Sequence, residues 1–92
     1  MTVAVLSSAS RPRILLIEDD KDLAVVIKLN LEANGYEVAI AEIDMQGLTM
    51  ALAEKYNLLL RDIKLPDLDG NTICKRLWAE SLVLPVLMLT SR

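Results

Sequence analysis

The sequence predicts an α/β domain built on a parallel sheet, and three observations predict it. Four short apolar runs recur along the chain, bounded by polar or turn-forming residues. Between them lie segments with apolar residues near helical spacing, too long to be hairpin connections. Strands that alternate with such helices pair in parallel through right-handed crossovers.

The first run, Arg13-Ile-Leu-Leu-Ile17, has the unbroken apolar character of a strand buried on both faces, and it ends abruptly in Glu18-Asp19-Asp20. Residues 21–34 follow as a helix in which Leu23, Val26, Ile27 and Leu31 recur near helical spacing. Asp20 is placed to cap its start, and Gly35 to close it in a left-handed conformation. Residues 36–40 read as the second strand, and 44–55 as a second helix with Met45, Leu48 and Leu52 facing inward. The third strand, 58–60, runs into Arg61 and Asp62; Pro66 and Gly70 then mark a loop. Residues 71–80 read as a third helix with Ile73, Leu77 and Trp78 as its apolar stripe, and 86–89 as the fourth strand after Pro85. Cys74, beside Ile73 and Leu77, reads as a small packed apolar group rather than a reactive thiol.

Composition narrows the function. The chain has 92 residues, 53% of them hydrophobic and 25% charged, with a mean hydropathy of +0.37. That suits one small domain with a real core. A net charge of −3 argues against a surface that itself grips nucleic acid, which needs a basic face. With one cysteine and no histidine, an internal disulfide and histidine-based zinc or acid–base chemistry are excluded, and a reducing intracellular, cytoplasmic setting fits best. No run approaches the ~20 apolar residues that span a bilayer, so no membrane partner is expected. Residues 1–11 read as a flexible N-terminal extension rather than a signal peptide, because no charged region precedes their apolar stretch. The domain is then expected over 12–92.

Chemistry in an open parallel sheet collects at the carboxyl ends of its strands. Here those ends carry Glu18-Asp19-Asp20, Asp62 and Thr90-Ser91. If the first and third strands are neighbours, their carboxylates converge, and their repulsion is offset by a hard cation such as Mg2+. A carboxylate in such a pocket can attack phosphorus to give an aspartyl phosphate, with a hydroxyl such as that of Thr90 bonding a phosphoryl oxygen. The plainer alternative is that Asp19 and Asp20 only start a helix, where acidic residues favour the dipole, and that Asp62 is a solvated strand end.

The motifs Ile14-Leu-Leu-Ile-Glu-Asp-Asp20, Leu60-Arg-Asp-Ile-Lys-Leu-Pro-Asp-Leu-Asp-Gly70 and Pro85-Val-Leu-Met-Leu-Thr90 resemble those of the receiver domain of two-component response regulators. The resemblance implies a flavodoxin-like, doubly wound parallel sheet of strand order 2-1-3-4, with elements in the order β-α-β-α-β-α-β. It implies that Asp62 accepts a phosphoryl group from a sensor histidine kinase and that Glu18 and Asp19, with Asp62, hold Mg2+. The backbone carbonyl of Lys64 would complete the metal site, and Thr90 would be the phosphoryl-contacting switch hydroxyl. By the same resemblance the chain is a signalling module and not an enzyme. Glu18-Asp19 with Leu-Met-Leu-Thr at the fourth strand look most like the transcription-factor branch with a winged-helix domain, so DNA would be contacted only through a separate C-terminal domain.

The chain departs from the family pattern in its length, at Arg61, and at Asn57, where an acidic residue is common. A receiver domain has five strands and five helices, so the fold is expected to be incomplete here, a partial domain lacking the fourth helix, fifth strand and fifth helix. None of Lys21, Lys28, Lys55, Lys64 and Lys75 can take the role of the lysine at the end of strand five, and all are expected on solvated faces. An uncovered strand-four edge would invite self-association. Arg61 stands where an apolar or small residue is usual; it could pair with an acidic neighbour or a second chain, but the plainer expectation is that it snorkels from the pocket's edge. Two other readings stay open: a structural, self-associating half-domain without phosphotransfer, and a Mg2+-dependent phosphohydrolase. The latter would want an acid two residues after Asp62, where Lys64 stands.

Overall fold

The computed structural model describes residues 11–62, Lys75, Ala79 and residues 84–89. The elements run β1 (Arg13–Ile17), α1 (Lys21–Ala33), β2 (Glu37–Ala41), α2 (Asp44–Ala53), β3 (Leu58–Asp62) and β4 (Val86–Leu89). The strands form one sheet in the order β2-β1-β3-β4, every pair parallel, which is the expected order and class. The third predicted helix, with Cys74 and Trp78, lies outside the described residues apart from Lys75 and Ala79, both helical and exposed.

β1 is flanked on both sides, and alternate residues serve opposite faces. Leu15 and Ile17 join Ala41, Leu48, Ala51, Leu59 and Leu84 on the α2 face. Ile14 and Leu16 join Ala24, Val38 and Leu60 on the α1 face. Helices therefore cover both faces, and from Ile14 to Ile17 β1 has no side on which a polar residue could reach water. That is why its run is unbroken.

The ends of α1 follow local chemistry. The Asp20 carboxylate accepts the Leu23 N–H at 3.1 Å, using up one otherwise unbonded donor of the first turn. At the other end Gly35 has φ +94°, a left-handed conformation that only glycine adopts without strain. Its N–H donates to the Glu32 carbonyl, and the Tyr36 N–H to that of Leu31.

The inward faces correct two expectations. Val26 is 54% exposed, whereas Ala24 is buried and Leu23, Ile27 and Leu31 are half-buried. Positions 24, 27 and 31 share one stripe, and Val26 is rotated away from it. In α2, Met45 and Leu52 are exposed, and Asp44, Gly47, Leu48 and Ala51 face in. This stripe is small because α2 lies close to β1. A Cβ on Gly47 would fall 2.6 Å from Ile17 Cγ1, so a larger residue would push the helix off the sheet or the isoleucine out of place.

Opposite the carboxyl edge, Arg13 and Asn57 tie β1 to the start of β3. The Asn57 side-chain oxygen accepts the Arg13 N–H at 2.7 Å, and the Asn57 N–H donates to the Arg13 carbonyl at 2.7 Å. The Arg13 guanidinium donates to Glu54 at 2.9 Å and lies 4.6 Å from the centre of the Tyr56 ring.

Candidate functional site

Because the strands are parallel, the ends of β1 and β3 share one edge of the sheet. Ile17 is in register with Arg61, so the next residues, Glu18 and Asp62, leave the sheet side by side. Backbone pairing continues past β1, with the Glu18 N–H donating to the Ala41 carbonyl at 2.9 Å, and this fixes where the Glu18 side chain starts.

Glu18, Asp19 and Asp62 each bring a carboxylate oxygen to within 4.8 Å of the others. Glu18 is 2% and Asp62 5% exposed, while Asp19 is open to solvent. The three acidic residues after β1 thus divide their work: Glu18 is buried in the cluster, Asp19 is its exposed member, and Asp20 caps α1. The helix-start reading holds for Asp20, whereas Asp19 belongs to the cluster. Thr90 and Lys64 lie outside the described residues.

Burial raises the Glu18 carboxyl above its ordinary value of 4.5, and the charge of Asp62 together with side-chain hydrogen bonds to Asp62 and Asp19 pushes it further the same way. The Asp20 N–H, which donates to Glu18 Oε2 at 3.1 Å, acts in the opposite direction. A hard, oxygen-preferring cation suits this donor set. All three groups are carboxylates, they are close enough to share an ion, and charge neutralisation is what two buried like charges need.

Of the two readings of Arg61, the structure shows pairing with an acidic neighbour. Arg61 does not snorkel: it is 1% exposed, on the α2 face of the sheet, where its alternation with Leu60 puts it in line with Leu59. Its Nε donates to Asp44 Oδ1 at 2.7 Å and its Nη2 to Asp44 Oδ2 at 2.8 Å, a two-pronged pair with the first residue of α2. Its Nη1 donates to the Asp62 backbone carbonyl at 3.2 Å. A charged residue inside an apolar strand signals a buried partner, and the acid that supplies it lies 17 residues away on another element.

A doubly wound parallel sheet with clustered carboxylates at its carboxyl edge defines a class of flavodoxin-like proteins whose site sits where these strands end. Within that class, residues 14–92 match the response regulator receiver domain, and the chain belongs to that family. It is 38% identical over 80 residues to the alkaline phosphatase synthesis transcriptional regulatory protein PhoP of Bacillus subtilis, covering 87% of this chain and 33% of that protein. The chain spans about a third or less of the length of the curated relatives it matches. Among solved structures, the CheY-like receiver domain protein of Methanospirillum hungatei superposes with a TM-score of 0.78 at 36% identity, covering 90% of this chain and 66% of that one. The response regulator TrrA of Thermotoga maritima, solved in complex with Mg2+ and BeF, superposes at 0.77 with 25% identity, covering 88% and 70%. No helix among the described residues is long and apolar enough to cross a membrane.

Proposed function

We propose that the chain is a phosphoacceptor module that takes a phosphoryl group from a sensor histidine kinase onto Asp62. The observation that carries this reading is the meeting of Glu18, Asp19 and Asp62, from two strands, within 4.8 Å. An Asp62 Oδ attacks phosphorus, the P–N bond to the kinase histidine breaks, and the bonding pair leaves with the imidazole, which takes up a proton. Glu18, Asp19 and Asp62, with the backbone carbonyl of Lys64, would hold Mg2+, which when bound offsets the negative charge of the transferring group. TrrA, described with Mg2+ and BeF, supports that choice of ion. Thr90 would bond a phosphoryl oxygen and act as the switch hydroxyl. Its family role supports this assignment.

The acyl phosphate adds ≈ −1.5 to −2 charges to an already acidic edge, a local change able to bias a two-state element. In this reading the chain is a cytoplasmic signalling acceptor, not an enzyme acting on free substrates, and DNA is contacted through a separate output domain. Leu87 and Met88, exposed on β4, support self-association along that strand.

Intact mass after incubation with Mg2+ and acetyl phosphate tests the reading. One phosphoryl group on the wild type and none on Asp62→Asn is expected; equal labelling of both, or of neither, would refute it. Light scattering over a concentration series checks self-association.

A further inference from the structure

We infer that Arg61 is a positioning residue for Asp62, held in place by Asp44. The inference rests on the phosphoacceptor reading and adds to it a link running from the first turn of α2 to the backbone of the acceptor.

Stability alone gives little reason for this pair. Position 61 faces a core of Leu15, Ile17, Leu48 and Leu59, where an apolar side chain would pack without desolvating two charges. Replacing a buried ion pair by apolar groups of similar volume is often neutral or stabilising. What an apolar residue could not do is hold a carbonyl. The guanidinium is a rigid plane, and two of its nitrogens are fixed by Asp44 at 2.7 and 2.8 Å. The third is thereby aimed at the Asp62 carbonyl, 3.2 Å away. Asp44 is itself fixed, because it is 0% exposed and sits in the first turn of α2, where the helix dipole favours its charge. The α2 stripe of Gly47, Leu48 and Ala51 presses that turn onto the sheet. The carbonyl so held belongs to the residue whose side chain is the nucleophile, and small displacements of a nucleophile slow a reaction more than they weaken ground-state binding.

Two variants separate positioning from packing. Asp44→Asn keeps shape but removes the charge that fixes the guanidinium, and Arg61 bonds both Asp44 and the Asp62 carbonyl. The expected result is a displaced Asp62 carbonyl 13C resonance in the folded, metal-free chain. D44A/R61L removes both charges together and is expected to stay folded. At saturating Mg2+ and acetyl phosphate, its maximal rate of adduct formation should fall about 10- to 100-fold, the usual cost of losing a supporting partner. Its Mg2+ affinity and half-saturating acetyl phosphate should stay within about twofold of the wild type, since the carboxylates themselves remain. A folded D44A/R61L with the wild-type rate, or a folded Asp44→Asn with an unmoved Asp62 carbonyl, would overturn the inference. If either variant fails to fold, the readout on the other decides; if neither folds, the pair acts through stability and the inference falls. Should the wild type take no phosphoryl group, the phosphoacceptor reading fails by itself. The Asp62 resonance then still decides the positioning role, a displacement supporting it and its absence refuting it.

Discussion

Replace Asp44 by alanine, and the Arg61 guanidinium, 1% exposed, loses carboxylate partners at 2.7 and 2.8 Å while remaining locked between β1 and β4. Removing one member of a buried pair costs about 3–5 kcal/mol, because the survivor keeps its desolvation penalty without its attraction. A domain of this size has roughly 5–15 kcal/mol of stability in total, so the single variant should lose a large share of it. Arg61→Leu should cost a similar amount by taking the guanidinium away from the Asp44 carboxylate, which has no exposure at all. D44A/R61L strands neither charge and should lose far less than the sum of the two. Urea denaturation of the four chains gives the coupling energy directly, as the part of the single-variant losses that the double variant recovers. We expect about 2 kcal/mol or more, near the upper range for residues in contact. Single variants that each lose less than about 1 kcal/mol would refute the reasoning, since that is how an exposed pair behaves.

Three further outcomes follow from individual residues. Gly35→Ala should cost about 1 kcal/mol by urea midpoint, all of it backbone strain at φ +94°, because an added Cβ would meet nothing within 4 Å. Asp20→Ala removes the cap on the Leu23 N–H and should cost about 1 kcal/mol by the same assay, with no change in Mg2+ affinity beyond its lost charge. For Glu18 the sign runs against the usual carboxylate. Its pKa is raised in the fold, so between 4.5 and the raised value the folded chain holds more protons than the unfolded one. Metal-free stability should therefore improve as pH falls through that window, and Glu18→Gln should flatten the slope. Mg2+ needs the carboxylate form, so its stabilising effect should weaken over the same fall; urea midpoints in EDTA and in Mg2+, across pH, check both.

Much of the fold could be read because strands buried on both faces leave a simple pattern. Ile14-Leu-Leu-Ile17 has no polar interruption since neither of its faces meets water, and the 2-1-3-4 order followed from the family resemblance. The inward face of α2 could not be read in the same way. Hydrophobicity pointed to Met45 and Leu52, but close approach to β1 selects small residues, and Gly47 packs against Ile17 by having no side chain. A pattern of apolar residues finds a helix face where bulk fills a gap, and misses one where two backbones come close together.

The site divides along the same line. Glu18 and Asp62 were legible because they end two parallel strands, and register alone brings such ends together. Asp20 was legible as a cap because its partner is only three residues away. Arg61 and Asp44 are 17 residues apart on different elements, and each has an innocent local reading, as a strand-end cation and a first-turn acid. What the sequence did contain was a violation: a guanidinium at the position of β3 whose parity matches Leu59, in the core beneath α2. A charge at such a position must have a partner, since the alternative costs several kcal/mol. Parity thus limits the search to acids on the α2 face near the carboxyl edge. Asp44, the first residue of the helix that covers that face, meets both conditions.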